Sequence, residues 1–461
     1  MPGKLGAALS SPVQSSPSPS ASPWRQLLER LLQLVLLGCL VGLACWPFNL
    51  MDRWQDLLLG QLPAFSRQGW RVSTLLLACS PVLVVPLLLV LQRGLLSRGA
   101  GSGIPQTMRA IAEPDQALRW LGPVPTVQRL LLWCLATLSL LPLGREGPVV
   151  QVGAAVAAGL KRRFPMLLPG LSPGNLLAVA AGAGLAGGFN TPLLGVVFVA
   201  EEFVGSFSPT LIWPALIVSA SAMGISSLGG QPQFALGVLP AAPLELLQLA
   251  WAVLIGVAGG LLGGLFGRLL LWFTRRCQGL IRRQPLRLGL VIGVLLAGFL
   301  LLSGGGSGGD GELVMAHLLQ DGSLGGALGG SGSGQLLSTA LRVVGPVLAL
   351  GVGIPGGLID PAFAFGALLG QTLGQLGAEP QLGLALGMVA GLAGATQLPV
   401  IAVLFALRMA GDQQLLPGLV LASALAAMVS RLLVPEPIYH ALAAINAPAD
   451  PARPQGAHGT Y

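Results

Sequence analysis

The chain has 461 residues, 53% of them hydrophobic and only 9% charged, against about 25% charged in an ordinary soluble domain. That composition excludes a water-soluble enzyme or binding module and reads as an integral membrane protein. The net charge of +8 would suit a nucleic-acid binder, but the basic residues sit in short loops beside apolar runs, which is the pattern of positive-inside topology and headgroup contact. No nucleic-acid partner is expected.

Residues 1–23, with the run SSPVQSSPSPSASP, are too polar and too rich in proline and serine to bury a core, and they are expected to form a disordered tail without a cleavable signal. Residues 24–443 read as one transmembrane domain. Apolar stretches near the roughly 20 residues needed to cross a bilayer fall around 27–46, 73–92, 127–143, 176–200, 210–228, 246–273, 287–303, 337–353, 382–407 and 415–434. The basic loops KRRF at 161–164 and Arg275, Arg276, Arg282, Arg283 and Arg287 are both expected on the cytoplasmic side. About 27 residues follow the last span, too few for a folded module, and 444–461 read as a short flexible tail.

The chain carries 67 glycines and 36 prolines. Non-helical backbone at membrane depth is tolerated only where protein or a water-filled cavity receives it, so this content predicts interrupted helices lining a pathway. Five scattered cysteines form no C-x-x-C pair, and the three histidines, His317, His440 and His458, do not suffice for a metal centre. No metal and no cofactor are expected.

Two blocks recur in the same order. LAGGFNTPLLGVVFV (185–199) aligns with LAGATQLPVIAVLFA (392–406), Pro192 over Pro399, and GREGPVVQVGA (144–154) aligns with GLIDPAFAFGA (357–367), placing Ile359 where Glu146 stands. The order indicates an internal duplication with halves at about 70–230 and 246–434, as in repeat-built transporters.

Three stretches share a design: GSGIP (101–105), GREGP (144–148) and GIPGGLIDP (353–361). Glycines permit backbone conformations closed to other residues, and the closing proline suits the first position of a helix, so each is expected to start a helix inside the membrane. A helix start offers unpaired N–H groups and the positive end of a dipole, an anion site with no full positive charge. Close helix packing through glycine would explain one such stretch; three with the same closing proline point to anion binding.

At these residues the sequence resembles the CLC chloride channels and proton/chloride antiporters. GSGIP, GREGP, the later G-x-x-x-P stretch and FNTPLLGVVFVAEEF carry the likeness, which runs from about residue 95 to residue 443. The resemblance implies an all-α polytopic membrane protein, a CLC-type inverted repeat of tilted and broken helices. It also implies a homodimer with one anion pathway per subunit, in a bacterial inner membrane. Carried over residue by residue, it implies that chloride meets the hydroxyls of Ser102 and Tyr439 and the backbone around Gly103, Ile104, Arg145, Gly147, Leu358 and Ile359. Glu146 resembles the external gating glutamate, which competes with chloride until protonation releases it. Glu202 resembles the internal proton-transfer glutamate, and Glu201, adjacent in the sequence and about 100° away on a helix, is expected to be structural.

Two departures from the family pattern stand out. Ile359 replaces the phenylalanine of G-x-F-x-P, so the aromatic wall is missing there. Asp360 precedes the closing proline and is expected to act as a helix cap turned away from the pathway, a second titrating group being the alternative. The Gly-rich run SGGGSGGDGE (303–312), with Asp310 and Glu312, reads as a loop without an assigned role. Proton-coupled chloride antiport is therefore the expected function, against a passive chloride channel or a fluoride or nitrate transporter on the same scaffold. An intramembrane enzyme ranks last, because no base accompanies a nucleophile in a recognisable motif.

Overall fold

The computed structural model describes residues 22–66, 68–228, 246–321, 332–377, 379–410 and 415–445. The expected tails, 1–23 and 444–461, lie almost wholly outside the described residues. Among those described the chain is helical throughout, and the one pairing of extended backbone is an antiparallel bridge between Gly144 and Gly357.

Among the described residues six helices are long and apolar enough to cross a membrane: Pro23–Leu59, Val72–Arg93, Pro209–Ser226, Leu249–Arg283, Pro285–Leu302 and Gly334–Gly351. A seventh span is the pair Pro114–Leu121 and Pro123–Leu138, bent by 41°. Large apolar side chains such as Leu83, Trp213, Trp272 and Val291 are exposed on these helices, as lipid-facing residues must be when the solvent is hydrocarbon.

Two of the expected spans are not single helices. The stretch 176–200 divides into Pro173–Phe189 and Pro192–Phe198, the latter running on into a widened π-helical turn, Val199–Val204. The stretch 382–407 divides into Pro380–Thr396 and Pro399–Ala410. Both breaks fall on a left-handed residue, Asn190 with φ 50° and Gln397 with φ 62°, followed within two residues by a proline that starts the next helix. Hydropathy alone does not register a break whose flanks are equally apolar.

Asn190 and Gln397 are equivalent positions of the repeat, and the match extends to packing. A side chain on Gly153, in the Glu146–Arg163 helix, would run into the carbonyl of Ala180 and the Cα of Gly184; one on Gly366, in the Ile359–Gly374 helix, would run into the carbonyl of Gly387 and the Cα of Gly391. Each half thus packs its re-entrant helix against the next through small residues in corresponding places, the contact that allows backbones to approach closely in a membrane. Where the halves meet, the amide of Gly144 donates to the carbonyl of Gly357 at 3.0 Å and that of Gly357 to the carbonyl of Gly144 at 2.8 Å. A reciprocal pair between aligned residues is what a local two-fold axis between the halves produces.

The closing prolines stand slightly later than expected. Pro105 is the second residue of the Ile104–Ala112 helix, and Pro148 and Pro361 are the third residues of theirs. All remain in the first turn, where a backbone N–H has no partner within the helix.

Candidate functional site

The three helix starts converge at the centre of the fold. Gly101 donates its amide to the carbonyl of Gly353 at 2.8 Å, tying the first stretch to the third. Arg129, fully buried, holds the carbonyls of Ala100 and Gly101 at 2.8 and 2.9 Å. Gly103 has φ 113°, which a side chain would strain, and it lies against the carbonyl of Gly147, while a side chain on Gly147 would collide with the hydroxyl and carbonyl of Ser102. Glycine is required at both places so that the start of the Glu146–Arg163 helix can touch the GSGIP turn.

Every residue expected to contact the anion is near this junction and buried or nearly so. Ile104, Leu358, Ile359 and Tyr439 belong to the core, and the Ile438–Ile445 helix that carries Tyr439 packs on the Ile104–Ala112 helix. The Ser102 hydroxyl and the Tyr439 phenol are both buried without a protein hydrogen-bond partner. Burying such a group unpaired costs about 1–3 kcal/mol, so two of them flanking one set of helix N-termini mark a place built for a ligand.

A cavity of about 1020 Å³ leads to Ser102. Arg98, Arg109, Arg119, Arg129 and Arg282 line it, and clustered positive charge in a low-dielectric cleft raises the local concentration of anions. The expected basic loop proves to be mostly helix: Arg275, Arg276, Arg282 and Arg283 end the helix that closes at Arg283, and the positive-inside expectation assigns this mouth to the inner side.

Glu146 lies at the other end, with 0% of its surface exposed. Its Oε1 accepts a 2.7 Å hydrogen bond from the amide of Asp360, the second residue of the Ile359–Gly374 helix. That amide is one of the unpaired donors of a helix start, so the carboxylate occupies the kind of position that an anion would take. Arg145 is shared with other carboxylates. The guanidinium forms an ion pair with Asp52, stands 3.7 Å from Glu312 and lies over the ring of Phe189 at 4.7 Å. The expectation that Arg145 contributes to the anion site is thereby limited to its backbone.

Several participants escaped the sequence reading. Asp52 sits in the Pro23–Leu59 helix, outside the resemblance, and only its isolation near an apolar run could have flagged it. The loop 303–312 is wholly buried; Arg342 donates to the carbonyls of Gly306, Gly308 and Gly309 at 2.8, 2.7 and 3.2 Å. This clamp satisfies a buried backbone and directs Glu312 toward Arg145. Asp360, expected as an outward cap, is the second residue inside its helix, whose N-cap is Leu358; its carboxyl oxygens cap nothing and lie beside those of Glu146.

The two neighbouring glutamates have different surroundings, in keeping with their offset of about 100° on a helix. Glu201 accepts from the amides of Val400 and Ile401 at 3.1 and 3.0 Å, closing the start of the helix that begins at Pro399. Glu202 is buried, with its Oε1 3.7 Å from the Nε2 of His440, whose side chain is 51% exposed. The widened turn Val199–Val204 carries both, a local distortion frequent at functional positions.

Comparison with known proteins gives consistent matches. The family profile described as "Voltage gated chloride channel" matches residues 82–431. The H(+)/Cl(-) exchange transporter ClcA of Vibrio cholerae serotype O1 is 32% identical over 362 residues, 74% of each chain. ClcA of Salmonella paratyphi B is 29% identical over 449 residues, 91% of this chain and 90% of the relative. A CLC-type fluoride/proton antiporter of known structure superposes with a TM-score of 0.72 at 24% identity, over 91% of this chain and 99% of the other, a likeness of fold alone.

Proposed function

The chain belongs to the voltage-gated chloride channel family, and we propose that it is a multi-pass carrier of the bacterial inner membrane that exchanges chloride for protons. The carrying observation is the Glu146 carboxylate seated on the Asp360 amide at the N-terminus of the Ile359–Gly374 helix. A group there competes with chloride for the same partial positive charges. Ionised, it closes the pathway. Protonated, it loses its attraction to the helix start and moves out, chloride takes its place, and one proton has been taken up.

On the inner side chloride approaches through the arginine-lined cavity and meets the Ser102 hydroxyl, the Tyr439 phenol and the backbone around Gly103, Ile104, Gly147, Leu358 and Ile359. Protons follow a separate inner branch. Glu202 is the inner proton-transfer group, and half-exposed His440, 3.7 Å away, connects it to water. All these groups come from one chain, so each subunit of the proposed homodimer carries its own pathway.

The test uses purified protein in liposomes with an imposed chloride gradient and controlled voltage. Protons driven uphill, and no longer driven in Glu146→Gln or Glu202→Gln, support the exchanger. Chloride flux without proton movement would make the protein a passive channel and Glu202 a structural residue.

A further inference from the structure

Asp360 stands beside the gate and has no role in the cycle described above. It is 1% exposed, and neither carboxyl oxygen has a hydrogen-bond partner. Its Oδ2 converges with both oxygens of Glu146 on Gly144: the three atoms lie 2.7, 2.5 and 2.6 Å from the point where a Cβ on that glycine would stand. The two carboxyl groups therefore face each other across a surface that only glycine leaves free.

Around this pair one cation is shared among several carboxylates. The charged and titratable groups facing Asp360 are Glu146 and Arg145 at the start of one helix, Asp310 in the buried loop, Glu312 in the helix that follows it, and Tyr439 on the Ile438–Ile445 helix. Arg145 is the only cation among them, and Asp52 and Glu312 engage it. Two buried carboxylates crowded around one point oppose each other's ionisation, and their protons come off in steps that belong to the pair.

We infer that Glu146 and Asp360 form a two-carboxyl site that shares a proton at the outer end of the anion pathway, making Asp360 a proton-carrying residue of the exchange cycle. This rests on Glu146 acting as the gate. The first proton lies between the two groups, the O–H of one donating to the other, and holds the gate closed. The second neutralises the pair and frees Glu146. Chloride then arrives beside a neutral Asp360, which explains how an aspartate is tolerated at an anion site.

The test is chloride flux from liposomes as a function of pH, with infrared difference spectra of the purified protein between acid and alkaline buffer. In Asp360→Asn the gate opens on the only proton that Glu146 binds, not on the second proton of a hydrogen-bonded monoanion, so the midpoint of acid activation moves up by about one pH unit or more. In Glu146→Gln, a residual pH dependence persists as Asp360 ionises and repels chloride at high pH; it disappears in Glu146→Gln/Asp360→Asn. The spectra lose a titrating carboxylic-acid band in Asp360→Asn and keep it in Asp360→Glu, which also controls for folding. An unmoved midpoint, or no band assignable to Asp360, overturns the inference. Chloride flux without proton exchange in the unmodified protein would refute the exchanger reading alone, since the spectra decide the carboxyl pair independently of coupling.

Discussion

Gly357→Ala isolates the gate by adding one methyl group. A Cβ on Gly357 would coincide with Oε2 of Glu146 and abut its Cδ, while Gly357 itself is not among the residues with positive φ, so alanine takes the backbone without strain. The methyl and the carboxylate cannot share the position, and the carboxylate, at the end of a rotatable side chain, gives way. What is lost is the charge-assisted hydrogen bond from the Asp360 amide, about 1.5–3 kcal/mol. At 1.4 kcal/mol per factor of ten, the closed gate becomes roughly 10- to 100-fold less populated. Chloride efflux from liposomes at alkaline pH, where the unmodified gate is ionised and shut, should rise toward the acid value, and proton coupling should weaken. In a Glu146→Ala background the same substitution should add nothing, because the group it displaces is gone. Alkaline efflux as low as in the unmodified protein, from protein with an unaltered melting profile, would refute the placement of Glu146 against Gly357.

Further outcomes follow from the same geometry. Chloride flux in the unmodified protein rises as pH falls, since protonation removes the charge that holds Glu146 on the helix start, and Glu146→Gln removes the larger part of that rise. Glu201→Ala deprives the Pro399 helix of its cap and lowers stability by about 0.5–2 kcal/mol while proton coupling persists; Glu202→Gln gives the converse, and paired melting and transport assays separate the two. His440→Ala slows proton movement without shifting the acid activation set at the outer gate. Arg342→Met leaves the carbonyls of Gly306, Gly308 and Gly309 unpaired, at about 1–3 kcal/mol each, and should lower the melting temperature markedly.

Composition and local pattern determined a good deal. The scarcity of charge fixed the solvent, and the glycine-proline stretches located three helix starts. The aligned blocks disclosed a duplication whose equivalence extends to Asn190 and Gln397 at the two breaks and to Gly153 and Gly366 at the two helix crossings. These features are legible because each depends on neighbours in sequence: a left-handed residue before a proline, or a glycine where backbones must meet.

Only the tertiary structure decided which charges face which. Asp52, Arg145 and Glu312 come from three distant segments and meet in one buried cluster, His440 approaches Glu202 across more than two hundred residues, and the Gly-rich loop 303–312 is held by Arg342 from a later helix. Asp360 is the instructive case. Its position before Pro361 suggested a cap, a local role, but the helix begins one residue earlier, at Ile359, and the amide of Asp360 instead serves Glu146, 214 residues earlier. Helix starts are written in local sequence; the partner that satisfies a buried charge is chosen by the fold, because in a low-dielectric interior that partner can lie anywhere along the chain.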